Sequence, residues 1–269
     1  MNVKNKLLEK SFDYRNNSQC KKLSDCIKSL NEIHLYIERV NERMYFENDI
    51  LYKQEIIEGK SLADWIFGCE RNDDEYEVLL REILSKPSSK EKTPFNEEIE
   101  VVLYPYEECV SSEQQYIERR RTILSKINDK SDFCSFLPSC FVNSIFSNEI
   151  KSGLNSINDF QACTDEIKKN LSVLNDEAVS VYKNNKSNLS EAYKILSSKL
   201  LECSPDPNNV KYLLFEFTDD YDNTVQVECS PHTKLIRKDS DLRIYFYWCH
   251  KNVGKGENVL IGRIGTHPY

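Results

Sequence analysis

Apolar positions along this chain change their period once. From Leu23 onward, Cys26, Ile27, Leu30, Ile33, Ile37, Val40 and Met44 recur every three or four residues, with Lys, Glu, Asn and Arg between them. That spacing lays one apolar stripe along a helix. Shorter helices are predicted over 61–69 (SLADWIFGC) and 74–86, with Ser61 and Asp73 or Asp74 as caps. The run KPSSKEKTPFNEE at 86–98 reads as a loop, EIEVVLY at 98–104 as a strand, and 113–127 as helix again. A second helical stretch begins near Phe141. Over 164–185, Ile167, Leu171, Leu174, Ala178 and Val181 share a side, and a helix over 187–201 follows with Asn188 or Ser190 at its start.

The change comes at CSPDPNN, 203–209, where two prolines and two asparagines end the helical pattern. Four strands follow by alternation, at 210–217, 224–229, 242–249 and 258–264, joined by the polar connectors DDYDN, SPHTKLIRKDSD and HKNVGKGE. Short connections favour an antiparallel meander. The predicted fold class is α+β: a mostly helical N-terminal part, then a helix–helix–four-stranded antiparallel sheet unit, with helices from 160–201 covering the sheet. The expected division is 1–155, a helical platform or partner-binding region, and 156–269, the α+β unit. In LRIYFYWC, Leu242, Ile244, Phe246 and Trp248 share the face expected to meet the helices. Arg243, Tyr245 and Tyr247 share the other, expected to face outward.

Composition narrows the classes. Of 269 residues, 39% are hydrophobic and 30% charged, which predicts a folded chain rather than a disordered one. The first residues, MNVKNKLLEKSFDYRNN, lack the apolar core of a signal peptide, and no run approaches the roughly 18 apolar residues of a membrane helix. A cytoplasmic protein without membrane contact is the expectation. Ten cysteines are scattered, none in a CxxC pair, and only Cys249–His250 sets a Cys beside a His. Structural zinc sites bring ligands in closely spaced pairs, so reduced, mostly buried thiols are predicted, with no metal and no cofactor.

The net charge of −8 argues against general nucleic-acid binding. The local balance differs. From Ser230 to Tyr269, seven Lys and Arg stand against three Asp and Glu, giving +4 and leaving −12 for the rest. Three of the four histidines, His232, His250 and His267, also lie there. A guanidinium with phenols on one strand face suits RNA, because aromatic rings stack on bases and Arg holds phosphate. Outside this segment the polar residues read as ordinary. Arg119–Arg120–Arg121 reads as a solvated helix face, His34 as a packed core or boundary residue, and His250 as an exposed turn residue.

The order helix, helix, antiparallel sheet, ending in LRIYFYW and then VLIGRIGTH, resembles the RelE/ParE superfamily of bacterial toxins. The likeness covers residues 156–269 and its motif content lies in the last forty. It puts Arg243 on the strand arginine, Arg263 on the arginine before the glycine, and His267 near the histidine, with HTKL at 232–235 on the His/Lys segment. Thr266 is an extra residue between Gly265 and His267, and Pro268 stands where an arginine often follows. The resemblance implies a toxin-like or antiphage-defence protein of bacterial type, using the sheet as a metal-independent ribonuclease. Its catalytic candidates are Arg243, Arg263, Lys234, His267 and Tyr245. The RNA-binding candidates are Arg243, Tyr245, Tyr247, Arg263, Lys234 and His232. The alternative is a non-catalytic interaction or regulatory subunit of a bacterial multiprotein system, with a protein partner on the helical N-terminal part. The register deciding whether Arg243 and Arg263 face one side is not readable from sequence.

Overall fold

A computed structural model describes residues 1–8, 11, 23–46, 55–57, 60, 61, 63, 64, 75–85, 95–237 and 240–269. The fold is α+β. The chain forms two compact units, Met1–Arg120 and Arg121–Tyr269, so the division falls earlier than the expected boundary at 155. No helix among the described residues is long and apolar enough to cross a membrane.

The first unit combines helices with a three-stranded sheet. Strand β1 (Val3–Leu7) lies between β2 (Met44–Tyr45) and β5 (Glu97–Val101), parallel to both. Parallel strands need a crossover, and helix α1 (Leu23–Arg39) supplies the one from β1 to β2. The stripe on α1 is core, since Ile27, Leu30, Ile33 and Ile37 are buried, as is His34. Val40, toward its end, is only half-buried. Helix α2 (Glu75–Ser85) packs on α1 through buried Leu80, Ile83 and Leu84. A short hairpin, β3 (Glu55–Ile57) and β4 (Lys60–Ser61), precedes a reciprocal cap. There Ser61 Oγ accepts from Asp64 N at 3.1 Å and Asp64 Oδ2 accepts from Ser61 N at 3.1 Å. Residues 65–69 of the predicted helix, the caps at 73 and 74, and most of the 86–98 loop lie outside the described residues.

The apolar pattern does not predict strand β1. Its buried positions are Val3, Asn5 and Leu7, and the central asparagine breaks the alternation. Asn5 is kept inside by hydrogen bonds. Its Nδ2 donates to Glu42 Oε2 at 2.8 Å, and its Oδ1 accepts from Tyr116 Oη at 2.7 Å. Arg120 completes the group, its two terminal nitrogens each 2.7 Å from a Glu42 oxygen and Nη1 2.9 Å from Tyr116 Oη. The expected solvated arginine face is therefore corrected. Arg119 is exposed, but Arg120 and Arg121 are buried, and Arg121 forms a two-pronged pair with Asp176 at 2.8 and 2.9 Å. These partners lie 78 and 55 residues away in sequence, beyond any local pattern.

The second unit is built on a five-stranded sheet in the order β6 (Ser144–Phe146), β12 (Val259–Gly265), β11 (Arg243–Tyr247), β10 (His232–Lys234), β7 (Cys203–Ser204). Only the β6–β12 pair is parallel. Helices α3 (Glu113–Ser125), α4 (Lys130–Cys140), α5 (Ile150–Asn155), α6 (Phe160–Asn184) and α7 (Leu189–Ser197) precede its last four strands. Helix α6 buries Ile167, Leu171, Leu174 and Ala178, and Asn188 caps α7 by accepting from Glu191 N. Trp248 stacks on Tyr182 of α6 at 5.6 Å and meets Tyr193 of α7 edge-on at 5.3 Å, so the helices take the predicted sheet face.

The strands at β8 (Leu214–Thr218) and β9 (Thr224–Glu228) exist but do not join this sheet. They form a separate hairpin whose turn is tied by Asp219 Oδ1, which accepts from Tyr221 N at 2.9 Å and Asn223 N at 2.8 Å. Phe215, Phe217 and Val227 then pack on Tyr245 and Leu260. The place beside β11 is filled instead by β10, inside the connector read as a turn.

Candidate active site

Register places the candidate residues. Across β10, β11 and β12, Lys234, Arg243 and Gly265 form one cross-strand row, and His232, Tyr245 and Arg263 the next. Directly paired antiparallel residues share a face, and so do residues two apart on one strand. Both rows therefore lie on the face away from α6 and α7, so Arg243 and Arg263 belong to one side. A bulge after this point makes Gly262 the extra residue of β12. A Cβ there would come within 2.5 Å of the Phe215 ring, so the hairpin sits against bare backbone.

The expected outward display of this face is corrected. Tyr245 is fully buried under the hairpin, Arg243 is 8% exposed, and only Tyr247 is half-buried. The physical cause is that Phe215 and Phe217 also need a surface to bury. A ring enclosed on both faces cannot stack on a base, so Tyr245 acts through its hydroxyl or not at all. His250 is half-buried rather than exposed.

At Gly265 the chain leaves the sheet and turns back. Thr266 N donates to Ser156 Oγ at 3.0 Å, and Arg263 Nε donates to Thr266 O at 3.0 Å. A Cβ on Gly265 would lie 2.2 Å from Gly153 O, so only glycine allows α5 to approach this turn. The turn delivers His267 over Tyr245, with Nδ1 2.6 Å from the phenol oxygen. Tyr269 follows, its ring 4.9 Å from that of His267 and its hydroxyl donating to Asp206 Oδ2 at 2.8 Å. His232 packs against Tyr245 at 5.4 Å, with Nδ1 3.4 Å from the Ser230 carbonyl.

Charge and burial set the protonation states. Burial first, and the Arg243 charge second, lower the pKa of His267. Burial also lowers His232, with Arg243 adding to the effect. Burial drives the Tyr245 phenol well above its ordinary value. Asp206 is held below the ordinary carboxylate range: burial opposes this, but hydrogen bonds from Tyr269 and Asn209 outweigh it. Both imidazoles are thus neutral near pH 7, and Tyr245 keeps its proton.

The three cations differ. Lys234 Nζ is 2.9 Å from Glu202 Oε2. Arg263 is 3.6 Å from Glu149 and also bonds Thr266 and Ser152, so it braces the turn that carries His267. Arg243 donates through Nη1 to the Ser240 and Leu242 carbonyls, and its buried Nε has no hydrogen-bond partner among the described residues. Both of its acceptors are neutral carbonyls, so neither cancels its charge. An open cleft of about 450 Å³ borders the cluster, lined by Arg263, His267, Tyr269, Tyr212, Phe215 and Glu149 among others.

Register thus brings together Lys234, Arg243, Tyr245, His232, Arg263 and His267, which the sequence named without a common face for Arg243 and Arg263; Asp206, Tyr269, Tyr212 and Glu149 were not named there. The only signal for Asp206 was a proline-rich linker, and Tyr269 ended a His-Pro-Tyr run without a partner in view. The second unit is therefore an α+β module with a His–Tyr–Arg cluster on the sheet face opposite α6 and α7. Neither family models, nor curated proteins, nor solved structures give a match to this chain.

Proposed function

We propose that the second unit is a toxin-like, metal-independent ribonuclease. The observation that carries this reading is His267, held by Tyr245 at the edge of an open cleft, with the Arg243 charge close enough to depress both imidazoles. In one tautomer His267 Nδ1–H donates to Tyr245 at 2.6 Å, while the neighbouring Tyr269 donates to Asp206 at 2.8 Å. This tautomer leaves His267 Nε2 as a free base.

In the proposed step, Nε2 takes the proton of a ribose 2′-hydroxyl. The 2′-oxygen attacks the adjacent phosphorus, and the bond to the 5′-oxygen breaks. That oxygen is protonated from solvent, to which the cleft is open, and the imidazolium returns its proton to water. Arg263, which lines the cleft, and the buried Arg243 charge behind His267 offset the charge that grows on the phosphoryl oxygens. The nucleophile is internal to RNA, so imidazole and guanidinium suffice. The likeness to RelE/ParE toxins points the same way, with RNA as the partner.

A second reading, a non-catalytic interaction or regulatory subunit, is favoured by the pairing of Lys234 and Arg263 with carboxylates. Filter binding and cleavage of single-stranded RNA at several salt concentrations separate the two. Wild type is expected to bind with a salt slope that falls by about one unit per phosphate contact removed. Arg243→Ala and His267→Ala should slow cleavage far more than they weaken binding. If wild type neither binds nor cuts at low salt, the ribonuclease reading is wrong.

A further inference from the structure

We infer that the cleft beside His267 is a guanine-binding subsite, with Glu149 as the reader of the base edge and Tyr212 and Tyr269 as the stacking surface. This rests on the ribonuclease reading, in which an adjoining phosphate meets His267.

The cleft has one aromatic wall outside the catalytic cluster, Tyr212, and shares a second, Tyr269, with it. Tyr212 and Tyr269 are 45% and 49% exposed, unusual for large rings, and their centroids lie 5.5 Å apart at 36°. Two tilted, half-open rings next to a phosphodiester site offer faces on which an unpaired base stacks. Phe215 and Leu214 add apolar lining.

Glu149 supplies discrimination. Its Oε2 accepts from Ser152 Oγ at 2.6 Å and lies 3.6 Å from Arg263, so the carboxylate is oriented. Its Oε1 accepts no hydrogen bond among the described residues. A carboxylate offers acceptors only. Guanine presents two adjacent N–H donors, N1–H and the N2 amino group, and can bond both oxygens at once. Adenine and cytosine set one amino donor beside a bare ring nitrogen, and uracil sets one N–H between two carbonyls. Each of these three turns a lone pair toward the carboxylate.

The test uses fluorescein-labelled 2′-O-methyl hexauridine, which cannot be cleaved, alone or with a single central guanine, adenine or cytosine. Anisotropy should show the guanine oligomer binding about tenfold tighter than the others, the lower end of what a paired hydrogen-bond contact discriminates. Glu149→Gln should bring that ratio to within about twofold, because one acceptor becomes a donor. Tyr212→Ala should weaken all the oligomers together. If wild type cuts unmodified RNA yet binds the four oligomers equally, the subsite is wrong and the ribonuclease reading stands. Glu149 is likewise not the reader if Glu149→Gln keeps the guanine preference. If nothing binds and unmodified RNA stays intact, both ideas fall together.

Discussion

Replacing Glu42 by Ala should harm the first unit more than replacing its partner Arg120 by Met. Arg120 is wholly buried, whereas the Glu42 side chain is 22% exposed. Glu42→Ala removes both 2.7 Å charge-assisted bonds from a guanidinium that is wholly buried. Breaking one side of a buried pair costs about 3–5 kcal/mol. Arg120→Met removes the buried charge itself. Glu42 then recovers water, and Tyr116 still donates to Asn5, so losing the contacts to Tyr116 and Glu42 costs about 1–2 kcal/mol. At about 4 °C per kcal/mol, melting should fall by roughly 12–20 °C for Glu42→Ala and about 4–8 °C for Arg120→Met. Circular dichroism melts and urea titrations measure the difference. Because the pair is buried, the deficit should be nearly the same in low and high salt. Should Arg120→Met prove equally or more destabilising, loss of the Glu42 carboxylate beside the buried charge is not what matters here, and shape or the wider hydrogen-bond group dominates.

Leu30→Asp, at a position 1% exposed on α1, should cost several kcal/mol, roughly a lost buried leucine plus a buried charge; a melt within a degree or two of wild type would remove that stripe from the core. Stability should also fall on mild acidification. His232 and His267 have folded pKa values below the unfolded value near 6.5, so the unfolded chain binds protons first and stability declines as pH drops through that value. Urea midpoints between pH 7.5 and 5 should show this decline, and a His232→Gln/His267→Gln double variant should flatten it; an unchanged slope in the double variant would mean other groups carry it.

Local patterns were legible and distant pairings were not. The α1 stripe, the buried side of α6, the Asn188 cap, and the strands β8, β9, β11 and β12 all follow from periodicity within a dozen residues or so. Strands β6, β7 and β10 are two or three residues long, too short for alternation to register, and they exist because partners elsewhere need them. Alternation in β11 correctly separated Ile244 and Phe246 from Arg243 and Tyr245. It could not say what covers the second face, because that depends on where the β8–β9 hairpin folds back. The candidate site shows the same division. The candidates on β10, β11 and β12 and the turn after them are neighbours in sequence and so were named together, whereas Asp206 and Glu149 arrive from segments whose position only the sheet order fixes.

Strand β12 follows every other strand of its sheet in the chain, yet it lies between β6 and β11. Ser147, just past β6, bonds Gly262, 115 residues downstream. At about 5–20 residues per second on the ribosome, β6 waits roughly 6–23 s for β12, its ladder neighbour among the described residues. Until then the nascent chain lacks the strand that joins β6 to the β11–β10–β7 ladder, and with it the bulge at Gly262 and the turn that carries His267. Completion of the unit therefore acts as a timer. Whatever chemistry the site performs is withheld from partial products, which expose open strand edges and are more prone to aggregate than to act.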